Sequence, residues 1–147
     1  MMVGKYLKFF VLAAALCLPA LSSSLSATDG EETTYVNKIG KIFSLHMQSI
    51  EQLMAEKSPF SENVVRHALG LLETASMLNH AVSVAKQKSP DSTWPWKDDA
   101  DYERLFAANT KAVRELIKVA GIWLEGGEKA PVMQAVEGVK KTCNNCH

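Results

Sequence analysis

Apolar residues recur at intervals of three and four along the chain, which is the spacing of one face of an α-helix. The first such stretch runs from Thr34 to Glu56, and Lys57-Ser58-Pro59-Phe60 interrupts it. The second begins after Ser61, a residue type that caps helix N-termini, and ends before Ser89-Pro90. The predicted buried residues are Val36, Ile39, Ile42, Phe43, Met47, Ile50, Leu53 and Met54 on helix one, and Val64, Val65, Ala68, Leu69, Leu72, Ala75, Leu78, Val82 and Ala85 on helix two.

The second half of the chain predicts two more helices. Two prolines mark residues 88 to 97 as a loop, and Asp98 or Asp99 is placed to cap the third helix. Gly126-Gly127 ends that helix, and the fourth begins at Pro131 and leads to the cysteines. The predicted buried residues are Tyr102, Leu105, Phe106, Ala112, Val113, Leu116, Ile117, Ala120 and Trp123 on helix three, and Val132, Met133, Val136 and Val139 on helix four.

Four amphipathic helices with mostly short connections predict an all-α fold, an antiparallel up-down-up-down four-helix bundle. The sequence offers no convincing strand and no internal repeat.

Residues 1–26 have the layout of a cleaved secretory signal peptide. Lys5 and Lys8 precede an apolar run from Phe9 to Leu21 that is too short to span a membrane. Cleavage after Ser26 or Ala27 leaves residues 27–147 as one exported domain of about 120 residues, without a membrane anchor. Cys17 is then discarded, and a lipoprotein is the alternative.

Composition excludes several classes of function. Loss of Lys5 and Lys8 leaves 14 Lys and Arg against 16 Asp and Glu, so the mature chain offers no basic stripe for nucleic acid. No Ser/His/Asp arrangement, convincing carboxylate pair or glycine-rich phosphate loop can be located, and the protein is not expected to be an enzyme. The acidic pairs Glu31-Glu32 and Asp98-Asp99 flank helix starts, where the helix dipole favours negative charge.

The last five residues, Cys143-Asn144-Asn145-Cys146-His147, form the C-x-x-C-H motif of covalent c-type haem attachment. Two thiols add across the vinyl groups of a haem, and the following histidine is a standard proximal ligand of the iron. On a helix the two cysteines and the histidine lie at i, i+3 and i+4, so one face meets one porphyrin.

Other uses of the same residues are weaker interpretations. Thioredoxin-like C-x-x-C centres lie near β-α-β patterns, which this sequence lacks. A zinc site needs a fourth ligand, and no second Cys/His cluster supplies one at suitable spacing. A disulfide between Cys143 and Cys146 would leave the adjacent His147 unexplained.

An exported four-helix chain with one C-x-x-C-H motif at the end of its last helix resembles the class II cytochromes, the cytochrome c′ and cytochrome c556 family. The Pro59-Phe60 turn and a loop with Trp94 and Trp96 add to this resemblance. The resemblance implies one covalent haem c at the C-terminal end of helix four. Cys143 and Cys146 would carry the thioethers, and His147 would be the proximal iron ligand. Members usually continue for several residues past the motif, whereas this sequence stops at His147.

The distal side of the iron is less defined. In the family it is formed by helix one, and alignment on Pro59-Phe60 places that position at or near Gly40, with Phe43 one turn further on. The sequence therefore favours an open or water-bearing distal pocket. Met47 is the candidate sixth ligand if the alignment slips, although a core role is favoured because methionine fills packing gaps readily.

These features predict a periplasmic monohaem protein that transfers electrons between redox partner proteins. The alternative is binding or sequestration of NO or CO at a vacant distal site lined by Ile39, Ile42 and Phe43. A third interpretation gives the haem only a role in folding. The family likeness also implies a homodimer through helices one and two, with Leu71 and Met77 as apolar residues left for that contact.

Overall fold

The computed structural model describes residues 31–55, 58–88 and 98–144, with side chains described from residue 34 onward. Four helices account for nearly all of them: α1 (Glu31–Ala55), α2 (Asn63–Lys88), α3 (Asp99–Leu124) and α4 (Lys129–Asn144). No strand occurs in these ranges, and the predicted all-α four-helix bundle is confirmed. The predicted signal peptide (residues 1–26), loop residues 89–97 with Trp94 and Trp96, and the motif residues Cys146 and His147 lie outside the described residues.

Neighbours in the sequence are neighbours in the bundle. α1 packs extensively on α2, α3 packs on α4, and α2 packs on α3. The fourth side of the bundle, between α1 and α4, has the fewest close approaches within the described ranges. None of those helices is long and apolar enough to cross a membrane.

The apolar faces of all four helices meet in one cluster. Its members are buried side chains spaced by three and four along each helix, as an amphipathic face requires. They are Phe43, Met47, Ile50 and Met54 of α1, Val64, Ala68, Leu71 and Ala75 of α2, Val113, Leu116 and Ala120 of α3, and Val132, Val136 and Val139 of α4.

The predicted ends of α3 are confirmed. Oδ1 of Asp98 accepts a hydrogen bond of 2.8 Å from the amide of Asp101, the usual N-cap contact. At the other end, the amides of Gly126 and Gly127 donate to the carbonyls of Trp123 and Ile122, which is the Schellman arrangement. Gly126 has a φ of 101°, a conformation that disfavours residues with a Cβ.

Two predicted helix starts are displaced, that of α4 by two residues and that of α2 by one. α4 begins at Lys129 rather than Pro131, so Pro131 lies within the first turn, where its missing amide hydrogen leaves no intrahelical bond unmade. α2 begins at Asn63 because a turn precedes it, in which the carbonyls of Phe60 and Ser61 accept from Asn63 and Val64.

Four predictions about burial were wrong. Ile42, Leu69 and Met133 are exposed, although the sequence pattern placed them on buried faces. Leu71, predicted to be left over for a dimer contact, is 0% exposed. Leu69 and Leu71 are two residues apart, about 200° around a helix, so only one of them can face the core. Leu71 takes the core position because it lies three residues after Ala68 and four residues before Ala75, which are both buried.

Because Leu71 is buried and Leu69 is exposed, substitution by alanine should affect stability unequally at the two positions. Leu71→Ala should lower the free energy of unfolding by about 2–5 kcal/mol, since it opens a cavity in the cluster. Leu69→Ala, at a position 50% exposed, should change it by less than about 0.5 kcal/mol. Denaturant unfolding followed by far-UV circular dichroism measures both, and equal losses would contradict the assignment of Leu71 to the core.

Candidate haem site

Cys143 lies in the last described turn of α4, and its half-buried side chain packs against the hydrophobic cluster. The interior spacing of Val132, Val136, Val139 and Cys143 keeps the cysteine on the buried face of α4. Cys146 and His147 lie outside the described residues, so the common face of the three motif residues stays a prediction. The one motif cysteine that the structure describes is partly buried against the cluster.

A buried polar side chain of α3 contacts this end of α4. Asn109 is 8% exposed, and its Nδ2 lies 3.0 Å from Oγ1 of Thr142 and 3.4 Å from Sγ of Cys143. Oγ1 of Thr142 in turn donates to the carbonyl of Val139 at 2.7 Å. Asn109 could not be predicted as a site residue, because a lone Asn inside an apolar stripe belongs to no motif.

Lys140 ties α4 to α1. Its ammonium contacts Glu51 of α1 and also Glu137, at 2.9 Å, one turn earlier on α4. Hydrogen bonds to the carboxylates of Glu51 and then Glu137 raise the pKa of Lys140 above its usual value. Because the two helices are antiparallel, three residues further along α4 correspond to three residues back along α1. Cys143 is therefore level with the turn of α1 that contains Met47.

Gly40 lies on the flank of α1 that faces α4. It precedes Glu51 by eleven residues, which is about three helical turns, so both residues share one face. A Cβ added at Gly40 would meet no atom within 4 Å among the described residues. The described residues thus leave room for a side chain at Gly40, on the flank of α1 that carries Glu51.

Two of the three predicted apolar neighbours adjoin Gly40 on the inner side of α1. Ile39 and Phe43 are buried, at 1% and 7% exposure. Ile42 is exposed and lies about 200° around the helix from Gly40, and its predicted place in a distal pocket stays a prediction.

Met47 is 7% exposed and belongs to the hydrophobic cluster with Ile50 and Met54. This packing agrees with the core interpretation of Met47. Its alternative role as a sixth iron ligand stays a prediction.

A pair of histidines joins α1 to α2. Nδ1 of His46 lies 3.0 Å from Nδ1 of His67. The ring centroids are 5.3 Å apart, so the two rings meet at these nitrogens and are not stacked face to face. That geometry is a hydrogen bond in which one ring donates and the other accepts. A Cβ at Gly70 would come within 2.7 Å of the His46 ring, so only glycine lets the ring lie there.

Three further polar side chains are not buried among the described residues. His80, Lys38 and Lys41 are exposed, as expected for solvated positions. Trp94 and Trp96 lie outside the described residues.

The described residues fit the haem that the motif implies. A half-buried thiol faces the interior at the end of α4, the adjoining side of the bundle between α1 and α4 is the least closely packed, and Gly40 places no side chain there. The buried side chains of Ile39 and Phe43 supply apolar surface of the kind that contacts a porphyrin. Cys143 would hold one thioether, with Cys146 and His147 completing the attachment.

The sequence model of the cytochrome C′ family matches residues 32–147. The chain therefore belongs to the cytochrome c′ family, whose cofactor is covalently bound haem c. Members are typically periplasmic and are generally haem electron carriers or gas-binding proteins rather than enzymes. No curated protein and no solved structure matched the chain.

The histidine pair predicts a loss of stability in mild acid. Burial, and then the positive charge of His67, lower the pKa of His46 below its usual value of 6.5. The unfolded chain binds this proton more readily than the folded chain. The contribution of neutral His46 to the free energy of unfolding is therefore fully present above about pH 6.5. It is lost as pH falls through the lower pKa of the folded state.

Denaturant midpoints at about pH 7.5 and about pH 5.5 should differ more in the wild type than in His46→Gln. His80→Gln removes an exposed histidine of α2 and should keep the wild-type difference. An unaltered pH dependence in His46→Gln would rule out the pair as its source.

Proposed function

We propose that this protein is an exported, periplasmic monohaem cytochrome that transfers electrons between redox partner proteins. Cys143 and Cys146 hold the haem, and His147 is its proximal ligand. When bound, the haem supplies a one-electron Fe(III)/Fe(II) couple. The chain's own residues hold that group, exclude water from one side of it and leave the other side accessible.

The observation that carries the proposal is the position of Cys143. Its side chain lies in the last described turn of α4 and packs against the cluster, and α4 approaches α1 closely at few described positions. A cofactor attached there has apolar surface behind it and an edge towards solvent, which suits electron transfer. Redox partners need only a small, weak interface at such an edge.

Gly40 supports an open distal side. It lies on the α4-facing flank of α1 with no described atom near the position of its missing side chain, whereas Met47 is packed in the core. An iron held by His147 alone would then keep a vacant position. The buried side chains next to Gly40 on α1, Ile39 and Phe43, are apolar.

The same pocket gives the second candidate function, the binding or sequestration of NO or CO. A small apolar space suits a neutral diatomic, because pocket polarity and steric access decide which ligand enters. Electron transfer and gas binding would both use the same covalently attached haem. They differ in whether a ligand binds at the vacant position of the iron.

A homodimer through α1 and α2 is part of the proposal. Leu71 cannot contribute, because it is buried. Ile42, Leu45 and Met77 are exposed on these helices and supply apolar surface for such a contact.

Optical spectra test the proposal directly. Protein exported with a haem-ligation system should carry covalent haem and should give a high-spin ferrous spectrum that shifts sharply with CO. Met47→Ala should leave that spectrum unchanged, as should the control Met54→Ala, which truncates a second buried methionine of α1. A sharp low-spin spectrum that is indifferent to CO and is lost only in Met47→Ala would reject the open site and assign Met47 as the sixth ligand.

The space at Gly40 predicts a steric effect on ligand entry. Gly40→Leu places a side chain in that space and should slow CO association at least about tenfold, while the helix is stabilised by roughly 0.5–1 kcal/mol through better helix propensity. The matched control is Gly138→Leu, since a Cβ at Gly138 also meets no described atom and Gly138 lies about 200° around α4 from buried Val136. Stopped-flow or flash-photolysis rates measure both, and equal rates in the two variants would place the distal pocket elsewhere.

A further inference from the structure

Asn109 is one of two buried polar side chains among the described residues, the other being Thr74. The hydroxyl of Thr74 donates to the carbonyl of Gly70 within its own helix, at 2.6 Å. Asn109 instead reaches from the core face of α3 to another helix. A buried amide in an apolar stripe is costly unless its hydrogen bonds are made, so its partners indicate what it does there.

The contacts of Asn109 fix the orientation of its amide. Thr142 gives its hydroxyl hydrogen to the carbonyl of Val139, so its Oγ1 can accept from Nδ2 of Asn109, which lies at 3.0 Å. An amide nitrogen carries two hydrogens, and the second is available to Sγ of Cys143 at 3.4 Å. The sulfur of the predicted attachment cysteine therefore lies beside a hydrogen-bond donor.

The hydrogen-bonding capacity of the Cys143 sulfur determines which kind of side chain can contact it after haem attachment. A thiol is both a weak donor and a weak acceptor. Thioether formation adds the thiol across a vinyl double bond: an S–C bond forms, the S–H bond breaks and the hydrogen passes to the other vinyl carbon. No oxidant or reductant is consumed. The product sulfur has no hydrogen and can only accept, so an amide N–H can contact it whereas a carboxylate cannot.

We propose that Asn109 is a positioning residue of the haem site, which holds the Cys143 thioether by its hydrogen bond and raises the reduction potential. The inference rests on the haem attachment proposed above. The positive end of the N–H dipole lies at an atom bonded to the porphyrin, where it disfavours the extra positive charge of the ferric state. Hydrogen bonding around a haem is one of the means by which a protein sets its potential.

The test compares reduction potentials of the exported holoprotein and three variants. Asn109→Leu removes the donor with a side chain of similar size, and Asn109→Ala removes it without adding volume. Thr142→Val is the control, because it breaks the other hydrogen bond of Asn109 and leaves the one to sulfur. Spectroelectrochemical titration gives the potentials, and circular dichroism verifies the fold.

Both Asn109 variants should shift the Fe(II)/Fe(III) ratio at a fixed applied potential towards Fe(III) at least threefold, which is about 28 mV at 59 mV per tenfold. Thr142→Val should shift the reduction potential by less than half of the shift, in mV, that the Asn109 variants show. An unchanged potential in both Asn109 variants would overturn the inference, and so would an equal shift in Thr142→Val, which would trace the effect to helix packing. Wild-type protein without covalent haem would instead refute the proposed function, and the role of Asn109 would fall with it.

Discussion

The packing of α4 on α3 determines where the haem can be attached. Val132, Val136 and Val139 bury one face of α4 against the common cluster, and the same face ends at Cys143. Because a helix that is fixed by its apolar face has a fixed rotation, the direction of the cysteine follows from the valines that precede it. The hydrogen bonds from Asn109 to Thr142 and Cys143 then hold the final described turn, where helix ends otherwise have unpaired carbonyls.

Much of this arrangement could be predicted from the sequence because it depends on local features. The spacing of apolar residues indicated four helices, and the Asp98 cap and the Gly126-Gly127 stop were found where the residue types placed them. The errors concern rotation within an amphipathic helix. Leu69 and Leu71 both lie within three residues of buried Ala68, and periodicity alone does not decide which leucine faces the core when the stripe is wide.

Contacts between helices could not be predicted in this way. Asn109 contacts residues more than thirty positions later in the chain, and His46 pairs with a histidine on the next helix. Each contact depends on the register of two antiparallel helices, which no single-helix pattern specifies. The motif at the C-terminus indicated the chemistry, while the residue that supports Cys143 became apparent only when α3 was placed beside α4.

The four helices are joined as two hairpins, and this explains why the open space lies where it does. α1 is held on α2 by extensive packing and by the His46–His67 hydrogen bond, and α4 is held on α3 by the valine face and Asn109. Between the hairpins, α2 and α3 share the Tyr102–Asn79 hydrogen bond of 2.9 Å and the Lys86–Asp99 ion pair. On the opposite side, α1 and α4 approach closely at few positions, among them the half-exposed Lys140–Glu51 pair, and such exposed pairs contribute little stability. The α1–α4 side is therefore the one that can separate around a porphyrin at the smallest cost in packing, and Cys143 lies in the last described turn of one of its two helices.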